Sequence, residues 1–338
     1  MRDPWTERAP SSRWAARSRQ RPDTDVLVVG DVYCDIVLRG LPRLPDWGEE
    51  VFGSEPVLCP GGLANVAVGL ASLGLTTHLL ARTRAQDTIG AVLAEELASR
   101  EHLEVSWLGH GPSTALTVAL PKGSERAMVS YEPPADGRPL APVIPWDDLG
   151  RALHLHIGSW NEGRHLMDDQ RAIAEAARVR HLTTSLDVSL QPEADWPARV
   201  RDLLTHVDVF IPNQAEACQI AETDDPRRAL DRLAQIVPTV VVKLGGRGAM
   251  GRSHGDYAQV EGLPVDVVDT TGAGDAFAAG LLHGYVRRWN MDRSLALANI
   301  CGALSVGRIG SSISVPSRRE AFELLERNSA HDSAPVPR

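Results

Sequence analysis

Cysteine is rare and scattered. Cys34, Cys59, Cys218 and Cys301 are the only four in 338 residues, and none belongs to a CxxC pair. That argues against structural zinc and leaves small hydrophobes of a reducing compartment, so the expected location is the cytoplasm. No run of about 18 apolar residues occurs, which excludes a membrane-spanning helix and makes the membrane an unexpected partner. Basic residues are outnumbered, 35 Lys and Arg against 44 Asp and Glu, for a net charge of −9. A balance of that sign does not suit nucleic acid, whose phosphate backbone demands an excess of Lys and Arg.

The opening stretch, MRDPWTERAPSSRWAARSRQRPDTD, lacks the apolar segment of a secretory leader. Its composition reads as a disordered basic tail over residues 1–24, with contact to an anionic surface as the other reading. The closing NSAHDSAPVPR reads the same way, so a single folded unit is expected over 25–327, with a second tail at 328–338.

Within the body, apolar β-type runs alternate with helical ones. DVLVVGDVYCDIVL reads as one buried strand, and LHLHIGSW, TTSLDVSL, HVDVFIP and TVVVKLG as further strands. NVAVGLASLG reads as a short helix, with Val66, Leu70 and Leu73 on one face and Gly74 as its stop. LMDDQRAIAEAARVR, DWPARVRDLLTH, NQAEACQIA and PRRALDRLAQIV are helical as well. Strands separated by amphipathic helices imply βαβ units, hence an α/β fold of three αβα layers around a mostly parallel sheet. Two stretches, about 47–60 and 113–132, alternate polar with apolar, the second around Lys122-Gly123-Ser124. They predict a small β lid with one solvated face.

The stretch VDVVDTTGAGDAFAAGLLHGY raises the chemical question. Thr270, Thr271, Gly272, Ala273 and Gly274 are stripped to small side chains just where a helix begins, with Phe277, Leu281, Leu282 and Tyr285 along one face of it. The first turn of a helix presents backbone N–H groups without acceptors and about half a positive charge. Small residues let an anion approach those groups, so Gly272-Ala273-Gly274 reads as an anion hole for a phosphate. Asp275 is a poor phosphate ligand and a good base for a hydroxyl that attacks that phosphate. The competing reading is an ordinary helix capped by Thr270 or Thr271.

DTTGAGDAFAAG resembles the C-terminal motif of the ribokinase-like (PfkB) carbohydrate kinases, and PGGLANVAVGLASLG together with GDVYCDIVL resembles their N-terminal one. The resemblance spans the body and implies a ribokinase-like fold, ATP and Mg²⁺ as cofactors, and phosphorylation of a sugar hydroxyl. By it, Asp275 is the catalytic base and the Gly272–Gly274 amides stabilise the phosphoryl in flight. Asn213 and Glu216 match an Asn-x-x-Glu element and would hold Mg²⁺, through water, from one helical face; Asn213 alone also reads as a helix cap. Lys243, Gly245, Gly246 and Gly248 match a nucleotide-side segment, with a tight structural turn as the alternative. The GxGxxG of Gly246, Gly248 and Gly251 is not a dinucleotide site, because the following RSHGDYAQVEGLPV alternates like a hairpin and opens no helix. Asn299 and Ala303 fall where the family walls its adenine pocket, or are packing residues.

For the substrate, Asp35 would accept hydroxyls at the end of the first strand, Gly61 and Gly62 allow close approach, and Asn65 can donate and accept at once. Only Leu63 and Ala64 separate Gly62 from Asn65, one residue fewer than the family usually has. Asp269 and Thr271 suit either a monovalent cation (K⁺) or a helix start. The 5% aromatic content favours a sugar over a nucleoside stacked on Trp47, Phe52, Tyr131 or Trp160. A binder without catalysis is the rival class, disfavoured by the intact Asp275, Asn213 and Glu216. Lid strands with free edges imply a homodimer through 113–131.

Overall fold

The computed structural model describes residues 23–332, apart from 84–85, 110–112, 123–124, 134–137, 159–162, 191–192, 194, 309 and 311. Most of the two expected tails, the Gly123-Ser124 turn and Trp160 therefore lie outside the described residues. The first strand begins at Thr24, and the last helix continues past the expected end at Arg327 to Asp332.

DVLVVGDVYCDIVL forms two strands in two different sheets. β1 (Thr24–Gly30), which carries the apolar run Val26–Val29, is buried at every position, as suits a parallel strand covered on both faces. After Asp31 the chain turns into β2 (Val32–Arg39), whose burial alternates. The end of the buried run at Gly30 is legible in the sequence; the passage of the following residues into a second sheet is not.

The main sheet also holds β4 (Thr77–Ala81), β5 (Leu103–Trp107), β8 (Ala152–Ile157), β9 (Thr183–Leu186), β10 (Val209–Phe210), β11 (Thr239–Lys243), β12 (Ala249–Ser253) and β13 (Asp256–Val260). Their order is β13-β12-β11-β10-β9-β8-β1-β4-β5. β11 through β5 run parallel, and β12 and β13 form an antiparallel hairpin at the edge.

Helices cover both faces. One layer holds α1 (Ala64–Ser72), α2 (Thr88–Ala98), α7 (Ala273–Val286), α8 (Met291–Val306) and α9 (Arg318–Asp332); the other holds α3 (Gly163–Val179), α4 (Trp196–Leu204), α5 (Gln214–Ile220) and α6 (Pro226–Leu233). Val26 and Val28 of β1 pack into the first layer and Leu27 and Val29 into the second, the period-two signature of a strand between two cores.

The small sheet has the order β3-β2-β6-β7, with β3 at Glu55–Gly62, β6 at Ala115–Lys122 and β7 at Glu125–Tyr131. β2 is thus a lid strand, between β3 (antiparallel) and β6 (parallel), and of the stretch read as lid from residue 47, only the part from Glu55 is strand. Cys34, Cys59 and Cys301 are buried, Cys218 is half-buried, and all four are free thiols. Burial pushes Cys34 up to about 11 and Cys301 up to about 12, which makes both inert.

Candidate active site

Gly272, at φ +74°, caps α7 with its backbone alone; no side chain bonds to the helix start. Neither Thr270 nor Thr271 acts as the cap. Thr271 instead donates through N and Oγ1 to Asp269 Oδ1, at 2.9 and 2.6 Å, while Asp269 Oδ2 accepts from Gly310 N at 3.1 Å. The Asp269–Thr271 pair therefore shapes the turn that delivers a bare helix N-terminus. A left-handed residue is needed at Gly272, a conformation that strains any residue with a Cβ. α7 is not the one-sided helix that Phe277, Leu281, Leu282 and Tyr285 suggested, since Ala276 through Gly284 are all buried. Gly280 and Gly284 let α8 approach so closely that a Cβ on either would meet α8 backbone.

Asn65, 3% exposed in the first turn of α1, donates Nδ2 to Asp275 Oδ2 at 2.9 Å. Its Oδ1 is buried without a hydrogen-bond partner. Asp35 lies in β2 of the lid, not at the end of the first sheet strand, and its carboxylate rests so tightly on Gly61 that a Cβ there would overlap it. Gly62, at φ +60°, turns the chain from β3 into α1, and a Cβ there would collide with Asp31 O. The shortened spacing from Gly62 to Asn65 thus still delivers the amide to Asp275.

Burial pushes the Asp275 carboxyl up to about 7, against the pull of the Asn65 hydrogen bond; Asp187 and Asp35 add to the push and Lys243 opposes it. Lys243 ends β11 and pairs with Asp187 just beyond β9, Nζ to Oδ2 at 3.0 Å, both side chains 14% exposed. Burial alone would lower Lys243, but Asp187, Glu216 and Asp275 outweigh it and hold the ammonium charged. A Cβ on Gly274 would sit 3.5 Å from Lys243 Nζ. Lys243 therefore stands beside the bare helix start. Asp187 was not singled out from sequence; its signal was an acid directly after a parallel strand, where open α/β sheets bind ligands.

Asn213 and Glu216 do not share a helical face. They form a reciprocal capping box at α5: Glu216 N donates to Asn213 Oδ1 at 3.0 Å and Asn213 N to Glu216 Oε2 at 2.7 Å. The side chain of Glu216, 6% exposed, is driven well above the carboxylate range by burial and by Asp187. Gly245 and Gly246 have open space where a Cβ would stand, whereas Gly248, at φ +90°, is wedged against Val260 O. Asn299 donates Nδ2 to Val260 O at 3.1 Å and Glu261 O at 3.0 Å, tying the end of β13 to α8, and Ala303 one turn on is half-buried.

A three-layer sheet with a four-stranded lid, meeting over a bare helix start and a buried carboxylate, defines a class of small-molecule kinases. Residues 23–318 match the pfkB family of carbohydrate kinases, and the chain belongs to that family. It is a transferase that phosphorylates a sugar hydroxyl with ATP. The chain is 30% identical over 306 residues to the ATP-dependent ribose-1-phosphate kinase of Halopiger xanaduensis, covering 89% of this chain and 98% of that protein. It is 29% identical over 310 residues to a fructokinase of Klebsiella pneumoniae, covering 86% and 96%. A crystal structure titled as a putative ribokinase II from E. coli with ATP and Mg²⁺ superposes with a TM-score of 0.77 at 22% identity, over 90% of this chain and 99% of that one.

Proposed function

We propose that Asp275 takes the proton from the accepting hydroxyl of a small sugar while the amides at the start of α7 receive the transferred phosphoryl. The observation that carries this reading is the joining of Asn65 to Asp275, which brings the lid's substrate side against the bare helix N-terminus. A carboxyl held near pH 7 accepts a proton far better than one at the ordinary value, so it suits a base working at neutral pH. Asp35 and the unpartnered Asn65 Oδ1 supply acceptors for sugar hydroxyls. Lys243 adds a charge where the phosphoryl's own charge gathers.

Mg²⁺ suits this donor set. Asp187, Glu216 and Asp275 are three carboxylates sharing one ammonium, all hard oxygen ligands. Among the described residues no group of three or more His, Cys, Asp or Glu forms a dedicated cage, which accords with an ion held by few protein oxygens, waters and substrate phosphates. Glu216 and Asp187 would hold it, with Asn213 fixing Glu216. Bound there, the ion neutralises phosphate charge. Gly245, Gly246 and Ala303 leave room for the nucleotide, Lys243 stands on its phosphate side, and Gly248 and Asn299 brace that wall. K⁺ against Asp269 and Thr271 is the corresponding reading for a monovalent activator.

The lid presents Leu58, Met128, Val129 and Tyr131 to solvent, and a second copy of the chain is the partner proposed for it; a strict monomer at high concentration in light scattering overturns that. The function is tested by ADP release and product mass with ATP and Mg²⁺ over pentoses, hexoses, deoxy-sugar acids and nucleosides. Turnover of a sugar supports the reading. Turnover confined to nucleosides moves the substrate class, and silence across the panel overturns it.

A further inference from the structure

The C-terminal end of α7 borders a cavity of about 560 Å³ that the kinase chemistry does not use. Leu73, His283, Trp289 and Phe322 line it with mixed polar and apolar surface, and Arg287 and Arg318 stand at its exposed rim. His283, Trp289 and Phe322 pack edge to face, with ring centroids 5.1 to 5.9 Å apart. Arg318 lies 5.1 Å over Phe322, and Arg293 lies 4.0 Å over Trp289. Stacking of this kind holds a guanidinium plane in place without using its N–H donors. Among the described residues Asp25 is the one carboxylate paired with these arginines, to Arg287 at 3.1 Å. Three guanidinium groups thus meet one carboxylate in a chain whose net charge is −9.

His283 is a second, independent sign. It is 5% exposed, and its Nδ1 is buried without a hydrogen-bond partner. Burial and the charges of Arg287, Arg318 and Arg293 hold its ring neutral, pushed down to about 4. A buried polar atom left unsatisfied is costly, and the residue that carries it also lines the cavity.

We infer that this cavity binds a small organic anion bearing a phosphate, its charge on Arg318 and Arg287 and its body on the Trp289–Phe322 surface. The volume suits a ligand of metabolite size, and planar guanidinium forks favour phosphate over a simple halide. The site lies at the far end of α7 from Asp275, twelve residues or about 18 Å along the helix, so it is separate from the catalytic phosphate site.

The test is calorimetric titration of the full chain with phosphoenolpyruvate, which has no hydroxyl to be phosphorylated, after saturation with Mg²⁺ and a non-hydrolysable ATP analogue. One site per chain with submillimolar affinity is expected. Arg287→Gln with Arg318→Gln should weaken it at least tenfold while sugar-kinase turnover is unchanged. Arg171→Gln, an exposed arginine on α3, should leave binding intact. No heat at millimolar ligand, displacement by the ATP analogue, equal affinity in the double variant, or equal loss in Arg171→Gln overturns the site. None of these readouts depends on kinase activity.

Discussion

Asn65 and Asp275, 210 residues apart in the chain, are joined by a 2.9 Å hydrogen bond from the amide of α1 to the carboxylate of α7. The bond couples the helix that follows the lid strand β3 to the group assigned as base. It also opposes the burial that raises the carboxyl. Replacing Asn65 by Ala should therefore move the acid limb of the kcat/KM profile to higher pH and lower kcat/KM at pH 6.5 by more than at pH 8.5. A limb that stays in place removes Asn65 from the tuning of the base.

Asp275→Asn should lower kcat by about two to four orders of magnitude, the usual worth of a positioned base. Its effect on stability has the opposite sign at high pH. The folded group titrates at about 7 against 3.8 for the ordinary carboxyl, so the folded state binds the proton more tightly than the unfolded state. Stability from this group is present below about pH 4 and is lost as pH rises toward 7. Urea denaturation should find Asp275→Asn gaining on the parent between pH 5 and pH 8.

Lys243→Met leaves Asp187, Glu216 and Asp275 without their shared ammonium. Removing one partner of a buried pair costs about 3 to 5 kcal/mol; here the loss should be largest at pH 8, where Glu216 and Asp275 are ionised, and shrink at pH 5. The acid limb of kcat/KM should rise with it. Equal destabilisation at both pH values contradicts the shared-charge picture.

Glu216→Gln keeps an oxygen for the Asn213 N–H and so preserves the capping box. The fold should hold within about 1 kcal/mol, while half-saturation by Mg²⁺ rises about 10- to 100-fold. A titration of activity against Mg²⁺ measures this, and an unchanged requirement removes Glu216 from the ion.

The parallel sheet was legible because strands such as β1 and β11 carry apolar runs separated by helices, and the bare helix start because Thr-Thr-Gly-Ala-Gly is stripped of large side chains, although a helix capped by Thr270 or Thr271 read equally well until the structure put Gly272 at the cap. What was hidden depends on tertiary contact. The chain changes sheets at Asp31, and no local pattern says which sheet β2 joins. His154 and His156 sit fully buried in β8, held by Thr183 and Ser185 of the neighbouring strand, a partnership that no local pattern announces. Asp187 and Lys243 meet only because β9 and β11 end at the same edge of the sheet. Asn213 and Glu216 were found by their spacing, but spacing alone did not distinguish a shared face from a reciprocal cap.

The base assignment is tested most directly by following the phosphorylated product of the best sugar in the parent and in Asp275→Asn, from pH 5.5 to 9. The parent should gain about tenfold in kcat/KM per pH unit below 7 and level off above it, and Asp275→Asn should be at least a hundredfold slower with no such limb. An Asp275→Asn enzyme that keeps the parent's rate and the parent's limb would place the base elsewhere.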